Sequence, residues 1–467
     1  MLSFQQTDRR WGRREFLRAG GLALGGMTLA NQLQWKALQA ATTQQSLARD
    51  CSVIFLFLHG GPSQTETFDP KMEAPAGIRS ATGSISTKIP GIEFGSTFPR
   101  LAQLADRLSI VRSFTTGNGN HDIKPIVAPA TSNANLGSLY SRLAGTNHPQ
   151  SGMPRNAALF PRCVSDAAQP AILSFGNFSS TGALGAAYAP FVPGGGGEAQ
   201  QAMKLQFEQT RLDDRQSLSR GLDRIQRTVD SNGTLEGLDR FQQQAFSTIL
   251  GGVANAFDLS RENPKTVARY DTAPLVRPEA ISKSWNNYNN YVDNAATLGK
   301  LLLLARRMCE AGCGFVTVTT NFVWDMHADV NNATVEEGMQ YMGWPLDHAV
   351  SALIEDLESR GLQDKIMLVV TGEMGRTPKI NAKGGRDHWG GIAPLLVYGG
   401  GIEPGQVIGH SNSDGSAPAS EPIRLDRLVS TVMHNLIDMA ELRVRTGIPE
   451  SVIRATTAAS PVDALVG

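Results

Sequence analysis

The chain has 467 residues, of which 41% are hydrophobic and 18% charged, and 43 Lys and Arg balance 43 Asp and Glu. This composition excludes a wholly disordered chain and a coiled coil, and the length suits one large α/β domain or two to three smaller ones. The balanced charge gives no sign of nucleic-acid binding, which favours a basic surface. After the first 40 residues no stretch is apolar for the roughly 18 residues of a membrane span, so no internal span is predicted.

The N-terminal segment has the features of an export signal. Residues 13–18 read RREFLR, the form of a twin-arginine motif, and a stretch rich in Gly, Ala and Leu follows at 19–30. The glycines in that stretch argue against an amphipathic helix of a cytosolic protein, because each would weaken it. We therefore predict that residues 1–40 are a twin-arginine signal recognised by the matching export machinery, and that the protein is periplasmic or otherwise exported.

Predicted strands and helices alternate along residues 41–467, which we expect to form a single large domain. Residues 52–58 are a continuous apolar run stopped by glycine, as in a central parallel strand. Other strands are predicted at 108–112, 315–320, 366–371 and 393–398, and helices at 98–107, 291–312 and 345–361. This alternation predicts an α/β fold, a mostly parallel central sheet with helices on both faces. A polar stretch rich in Gln and Arg predicts a helical insertion at about 200–260.

Four loops that follow predicted strands contain metal-binding or acid–base side chains. Ligands of parallel sheets bind beyond the carboxyl ends of the strands, where these loops lie. Asp325 and His327 are two residues apart, so an extended backbone lets both face one cation. Glu373 and His388 add a carboxylate and an imidazole, a combination that suits zinc, manganese or iron, whereas carboxylates alone suit calcium or magnesium. Arg376 can bind an anionic group through two hydrogen bonds, or it can equally pair with a nearby acidic side chain.

The same loops are also compatible with a structural role or with esterase chemistry. His327 and His388 can cap loops while the neighbouring aspartates bind turn amides, but the occurrence of four such loops at strand ends favours a site. His59-Gly60-Gly61 resembles the oxyanion loop of esterases, yet no G-x-S-x-G elbow accompanies it, which disfavours a serine esterase. A P-loop motif is also absent from the sequence.

Several short segments occur together in a way that matches one known family. They are the twin-arginine start, FLFLHGGPSQTETFDPK (55–71), IVRSFTTGNGNHD (110–122), VWDMHAD (323–329), TGEMGRTP (371–378) and GRDHWG (385–390). From about residue 50 to its C-terminus the chain resembles the uncharacterised DUF1501 family, which is similar in fold to the alkaline phosphatase and sulfatase superfamily. The resemblance implies one or two metal ions at the carboxyl edge of a parallel sheet, and a Ser, Thr or formylglycine nucleophile at a helix start.

The resemblance also implies roles for single residues. Asp325 and His327 stand where the superfamily has an Asp and His pair, and His388 stands where it has a downstream metal-binding His. Glu373-Met374-Gly375 replaces the usual Asp-His-Gly, so a methionine takes the place of one ligand. The first strand ends in His59 where the superfamily has Asp.

Further residues are implied as substitutes or nucleophiles. Asp69 and Glu66 are possible replacements for the missing Asp. Ser113, Thr115 and Thr116 are candidate nucleophiles, and none of them is singled out. The cysteine motifs of sulfatases are absent, so a formylglycine is not expected.

We therefore predict a metal-dependent hydrolase of phosphate or sulfate esters. A divalent ion such as zinc, manganese or calcium would be held by the side chains of Asp325, His327, Glu373, His388, His59 and Asp69. The predicted catalytic residues are Ser113 or Thr115 as nucleophile, with a metal-bound water as the alternative nucleophile, His121 as acid or base, and Arg376 for the anion. The alternative is a scaffold that has lost the chemistry and binds a polysaccharide or an envelope partner; Met374 favours this alternative.

Overall fold

The structure, a computed structural model, describes residues 46–193 and 253–466. The predicted twin-arginine signal lies outside these residues, and so does most of the predicted helical insertion at about 200–260. In the described part of the chain no helix is both long and apolar enough to cross a membrane.

Seven of the described strands form a central sheet, and the other six form three two-stranded sheets. In chain order they are β1 (Ser52–Phe57), β2 (Ser84–Ser86), β3 (Glu93–Gly95), β4 (Ser109–Val111), β5 (Phe114–Thr115), β6 (Asn156–Leu159), β7 (Phe315–Thr319), β8 (Ile366–Thr371), β9 (Gly375–Arg376), β10 (His388–Trp389), β11 (Leu395–Gly399), β12 (Val407–Ile408) and β13 (Ile423–Arg424). The sheet has the order β12-β4-β11-β8-β1-β7-β6. Its strands all run in one direction except β11, which is antiparallel to both neighbours. The predicted α/β fold with a mostly parallel sheet is confirmed.

The helices of the described residues cover both faces of this sheet. They are α1 (Pro99–Gln103), α2 (Leu136–Ala144), α3 (Ala254–Phe257), α4 (Pro264–Tyr270), α5 (Tyr288–Glu310), α6 (Val335–Ser359), α7 (Leu425–Leu436), α8 (Met439–Val444) and α9 (Glu450–Thr457). Alternate side chains of a strand point to opposite faces. Ile54 and Leu56 of β1 join one hydrophobic core with α5 and α6, whereas α2 and α7 pack on the other side. Because β1 is covered on both faces, its sequence is continuously apolar.

Helix α6 begins ten residues earlier than the sequence predicts, at Val335 rather than Pro345. The side chain of Thr334 caps the helix by accepting a hydrogen bond from the backbone N–H of Glu337 at 3.1 Å. Pro345 lies inside the helix. The prediction is wrong because proline is commonest in the first turn of a helix and therefore suggests a start where there is none.

The carboxylate of Asp347 ties α6 to α1. It accepts hydrogen bonds from the backbone N–H groups of Arg100 at 3.1 Å and Leu101 at 2.8 Å. These amides lie in the first turn of α1, where the capping residue Phe98 offers no side-chain acceptor. Burial raises the pKa of Asp347 to about 6, although both hydrogen bonds and the charge of Arg100 act in the opposite direction.

Asp347 is therefore expected to make the stability of the protein depend on pH. A carboxyl group whose pKa is higher in the folded than in the unfolded chain makes the folded protein more stable at low pH. This contribution to the free energy of unfolding is complete below the pKa of the unfolded chain, near 4, and is lost as the pH rises through the folded-state pKa of about 6. Asp347→Asn removes the titration. We expect the wild type to lose unfolding free energy relative to Asp347→Asn between pH 4 and 7, measured by urea denaturation. Parallel pH profiles would contradict this.

Candidate metal centre

Three loops at one end of the sheet bring two histidines and an aspartate together. His121 lies in the loop after β5, Asp325 follows β7, and His388 opens β10, which pairs with β9 just beyond β8. The Nε2 atoms of the two histidines are 2.9 Å apart. The Oδ1 atom of Asp325 is 3.0 Å from Nε2 of His388 and 3.4 Å from Nε2 of His121. These three atoms can act as ligands of one metal ion.

The size of this triangle fits a transition-metal ion. Ligand atoms about 2.0 Å from a tetrahedral zinc ion are separated by about 3.3 Å, the edge of the tetrahedron. The three separations here, from 2.9 to 3.4 Å, lie close to that edge. Two imidazoles with one carboxylate are also a donor set that suits zinc or manganese better than calcium or magnesium. His388 is the most exposed of the three, with 37% of its side chain accessible, so the open side of the triangle faces solvent there.

Glu373 orients His121 instead of joining the triangle. Its Oε1 atom is 2.9 Å from Nδ1 of His121, on the far side of the imidazole ring from the cluster. Because a carboxylate only accepts, Nδ1 carries a proton, and Nε2 is the ring nitrogen that points at Asp325 and His388. Metal-binding histidines are usually held in this way by a carboxylate. Glu373 is fully buried and also accepts the backbone N–H of Gly60 at 2.9 Å.

Gly60 belongs to the site, although its sequence motif resembles the oxyanion loop of esterases and not a metal centre. Its φ of +116° is a backbone conformation that favours glycine, and a Cβ atom there would lie 2.6 Å from the backbone nitrogen of Asp325. The glycine therefore lets the loop after β1 approach both Asp325 and Glu373. The His-Gly-Gly sequence at the end of β1 is the signal that could have indicated this close approach.

Arg376 is buried, and its guanidinium group binds the protein itself. Its NH2 atom lies 2.7 Å from Oδ1 of Asp325, and the group also donates to the backbone carbonyls of Gly60, Gly61 and Trp324. Only 1% of the Arg376 side chain is accessible. The structure therefore places this arginine beneath Asp325, where it does not face an incoming anion as the sequence suggested.

The aspartate is the centre of a charged network. Burial alone would raise the pKa of Asp325, but the charge of Arg376 and hydrogen bonds from three histidines outweigh burial and hold that pKa well below its usual range. Burial likewise lowers the pKa of His121, but its hydrogen bonds to Asp325 and Glu373 raise it by more. The negative charge that raises the pKa of this imidazole is also what attracts a cation.

His327 binds the other oxygen of Asp325. Its Nε2 atom lies 2.9 Å from Oδ2, and this hydrogen bond raises the pKa of His327. The next residue, Ala328, has a φ of +60°, which is uncommon for a residue with a side chain and is typical of functional loops. The structure thus brings together Asp325 and His327, the two predicted residues of this loop. His327 forms a hydrogen bond with the Asp325 carboxylate and is not itself one of the three residues of the triangle.

Aromatic side chains close the site on one side. The ring centroid of Phe322 lies 4.6 Å from that of His121 and 5.0 Å from that of His59. The Phe322 ring also stacks on that of Phe175, with the two centroids 4.5 Å apart. Burial lowers the pKa of His59 to about 4, so His59 is neutral at pH 7. Its Nε2 atom is buried without a hydrogen-bond partner and does not belong to the triangle. These rings exclude water from one side of the ligands.

The remaining predicted residues lie outside the triangle. Asp69 is paired with Lys71 at 3.2 Å and with Arg112 at 3.6 Å. Ser113 is fully buried, and its Oγ atom has no hydrogen-bond partner and would contact a Cβ placed at Gly409. Thr115 is partly exposed and lines a cavity beside the loop of His121.

Glu373→Gln is expected to weaken metal binding without unfolding the protein. Glutamine still accepts hydrogen bonds from His121 and Gly60, but it lacks the charge that makes the imidazole a stronger ligand. Loss of such a carboxylate lowers metal affinity by about 10- to 100-fold. Competition with a chromophoric chelator measures the change. As a control, Glu358→Gln, which removes a partly exposed partner of Arg107, should bind metal like the wild type; equal affinities of all three proteins would contradict the role given to Glu373.

Comparisons with known proteins place the chain in a family and beside several solved structures. Residues 50–463 match the model of the DUF1501 family, described as a protein of unknown function. No curated protein matches the chain. Similar solved structures include the PsFucS1 sulfatase from Pseudoalteromonas sp., with 12% identity, a TM-score of 0.37 and coverage of 86% of this chain and 69% of that one.

Two further solved structures give comparable values. The lipoteichoic acid synthase LtaP from Listeria monocytogenes has 10% identity and a TM-score of 0.34, covering 92% of this chain and 81% of that one. The phosphonate monoester hydrolase SpPMH from Silicibacter pomeroyi has 11% identity and a TM-score of 0.33, covering 88% and 78%. At such identities the likeness concerns the fold alone.

Proposed function

The chain belongs to the DUF1501 family, and we propose that it is a metal-dependent hydrolase of phosphate or sulfate esters. The observation that carries this proposal is the triangle of His121, Asp325 and His388, whose ligand atoms are 2.9 to 3.4 Å apart at the carboxyl end of the sheet. The orienting contact of Glu373 on Nδ1 of His121 supports it further.

These residues would hold one zinc or manganese ion. When bound, such an ion would supply Lewis-acid polarisation of an ester oxygen and a lower pKa for water in the site. Asp325 provides the negative charge, with Arg376 and His327 fixing the orientation of its carboxylate. Because the hydroxyl of Ser113 is fully buried, we assign the attack on the ester to water and not to this serine. The water oxygen forms a bond to phosphorus or sulfur while the bond from that atom to the alcohol oxygen breaks. A proton of the attacking water ends on the departing alcohol, so the products are the alcohol and phosphate or sulfate.

The residues around the triangle prepare this reaction. Glu373 keeps the proton of His121 on Nδ1, so that Nε2 faces the reacting region. The rings of Phe175 and Phe322 exclude water from one side, which strengthens electrostatic interactions in the site. His388 lies at the exposed edge, where an ester has access.

Hydrolysis assays test the proposal. Protein loaded with zinc or manganese is offered 4-nitrophenyl phosphate, bis(4-nitrophenyl) phosphate and 4-nitrophenyl sulfate, beside His388→Ala and the control Glu358→Gln. We expect turnover of at least one ester by the wild type and the control, and none by His388→Ala. Metal binding without turnover of any ester would instead support the alternative, a scaffold that binds a polysaccharide or an envelope partner.

We also propose that residues 1–40 direct the protein to the periplasm through the twin-arginine machinery. The RREFLR sequence at 13–18 supports this assignment. Replacing both Arg13 and Arg14 by lysine should leave the full chain in the cytoplasm, as measured by fractionation and immunoblotting. Unchanged export of this variant would reject the twin-arginine route.

A further inference from the structure

Asparagines connect the loop of Asp325 to the start of helix α5. Two neighbouring asparagines, Asn331 and Asn332, lie in this loop, and Asn286 and Asn287 directly precede the helix. The side-chain amide of Asn287 donates to Oδ1 of Asn332 at 2.8 Å, and that of Asn286 donates to Oδ1 of Asn331 at 2.7 Å. The two pairs are alike in residue type, position and bond length, but they lead to different carboxylates.

Asn332 connects its pair to the candidate metal ligand. It is 1% exposed, and its side-chain amide donates to Oδ2 of Asp325 at 3.4 Å. The backbone N–H of Asn332 donates to Oδ1 of Asp329 at 2.9 Å, which holds the residue in place. Asn331 directs its own side-chain amide to Oδ2 of Asp329 instead, at 2.8 Å. Of the two neighbouring asparagines, Asn332 is therefore the one that bonds to the Asp325 carboxylate.

This carboxylate fixes the direction of every hydrogen bond in the chain of amides. An ionised carboxylate only accepts, so Asn332 turns its NH2 group to Asp325 and its carbonyl oxygen to Asn287. Asn287 then donates to Asn332, which leaves its own carbonyl oxygen for the side-chain amide of Asn290 at 2.9 Å. We call Asn290, Asn287 and Asn332 the amide relay. Reversal of one amide would place two donors or two acceptors against each other.

The relay takes Asn287 away from the role that its position predicts. Asn287 is the N-cap residue of α5, and asparagine is among the best capping residues. Its side chain nevertheless accepts no hydrogen bond from the backbone of the first turn. Both ends of its amide are engaged by the side chains of Asn290 and Asn332. A residue that gives up a local stabilising contact is expected where a functional site needs its side chain elsewhere.

Two donors hold Oδ2 of Asp325, the carboxylate oxygen that does not belong to the triangle. They are Nε2 of His327 at 2.9 Å and the side-chain amide of Asn332 at 3.4 Å. Because a carboxylate is planar, fixing Oδ2 also restricts Oδ1, the atom that lies 3.0 Å from Nε2 of His388 and 3.4 Å from Nε2 of His121. Hydrogen-bonding partners of this kind orient metal ligands and raise metal affinity.

We infer that Asn332 is a positioning residue of the metal centre and that Asn287 sets the orientation of its amide. The relay holds the Asp325 carboxylate so that Oδ1 faces the ion. The inference rests on the metal centre of the proposed function, and it gives the start of α5 a part in metal affinity. Loss of a partner of a ligand lowers metal affinity by about 10- to 100-fold. Because the bond from Asn332 is longer than that from His327, we expect a loss of about tenfold.

The zinc affinity of the full chain, measured by competition with a chromophoric chelator, tests the relay with two adjacent variants. Asn287→Ala removes the donor to Asn332, and Asn286→Ala removes the matching donor to Asn331. We expect Asn287→Ala to bind zinc about tenfold more weakly than the wild type and Asn286→Ala to bind zinc as tightly as the wild type. Equal zinc affinities of the two variants would overturn the inference.

A double-variant cycle separates positioning from a general loosening of the loop. Asn332→Ala should weaken zinc binding at least as much as Asn287→Ala. Adding Asn287→Ala to Asn332→Ala should cause no further loss, because the two residues act in series. Additive losses in the double variant would contradict the relay. If Asn332→Ala does not fold, the comparison of Asn287→Ala with Asn286→Ala decides alone.

Ester hydrolysis by the same samples distinguishes this inference from the hydrolase proposal. Zinc binding that is weakened in Asn287→Ala, in a protein that turns over no ester, would keep the relay and reject the hydrolase. Ester turnover by a wild type whose zinc affinity Asn287→Ala shares would reject the relay and keep the hydrolase. A wild type that binds neither zinc nor manganese would overturn both, and for one that binds manganese alone the same competition is run with manganese.

Discussion

Asp325→Asn is expected to remove metal binding and to lower the free energy of unfolding by about 3 to 5 kcal/mol, the usual cost of breaking a buried ion pair. Oδ1 of this aspartate is shared by the buried Arg376 and by the two histidines of the triangle. Asparagine has nearly the same shape but no charge, so the buried guanidinium loses its compensating carboxylate. Elemental analysis and denaturant unfolding measure the two effects.

His388→Ala is the variant that separates these two effects. This histidine is more exposed than Asp325 and has no buried charge to compensate. We expect it to lose metal while its unfolding free energy falls by less than about 1 kcal/mol, as for other exposed ionic contacts. If Asp325→Asn kept a full equivalent of metal, or were as stable as His388→Ala, the position of Asp325 at the centre of the network would be contradicted.

A second large effect is expected at the buried pair of Glu66 and Arg386. Neither side chain is accessible, and the Arg386 guanidinium contacts both carboxylate oxygens of Glu66 at 3.0 Å. Glu66 also accepts the backbone N–H of Ala81 at 3.1 Å, and Arg386 donates to the backbone carbonyls of Ile78 and Arg79. The pair thus joins the loop after β1 to the loop that leads to His388.

Glu66→Gln should therefore lower the free energy of unfolding by about 3 to 5 kcal/mol, because it leaves the charge of Arg386 buried without a partner. The folded variant should still bind metal, because neither residue belongs to the triangle. Denaturant unfolding measures the loss, and Glu421→Gln provides the control: Glu421 forms an exposed pair with Arg427 and should change stability by less than about 1 kcal/mol. A Glu66→Gln protein as stable as this control would contradict the prediction.

Local sequence patterns are sufficient to predict the central strands. β1, β7 and β8 are short apolar runs that end in polar loops, so their place in a buried parallel sheet follows from composition alone. The antiparallel direction of β11 cannot be predicted in this way, because an apolar run does not indicate whether a strand is parallel or antiparallel to its neighbours. Nor does the start of α6, because Thr334 caps the helix there while Pro345, a residue typical of first turns, lies in its interior.

The candidate site is only partly predictable for a related reason. The rule that ligands bind at strand ends selects the loops of His121, Asp325 and His388. The side chains that come together depend on the conformation of each loop. That conformation is set by contacts between residues far apart in the sequence, such as the hydrogen bond from the backbone N–H of Gly60 to the Glu373 carboxylate. The burial of Arg376 cannot be predicted from the sequence either. The sequence around an arginine beside a glycine does not indicate whether backbone carbonyl groups or solvent surround its guanidinium group.

The metal centre is tested most directly by elemental analysis of the protein purified from its native cells without chelator or affinity tag. We predict about one equivalent of zinc or manganese per chain, the capacity of a single site with three protein ligands. The ion should be absent from His388→Ala and retained by Glu358→Gln. A folded wild-type protein without bound metal, or one whose metal content is unaffected by His388→Ala, would contradict the assignment of His121, Asp325 and His388 as a metal centre.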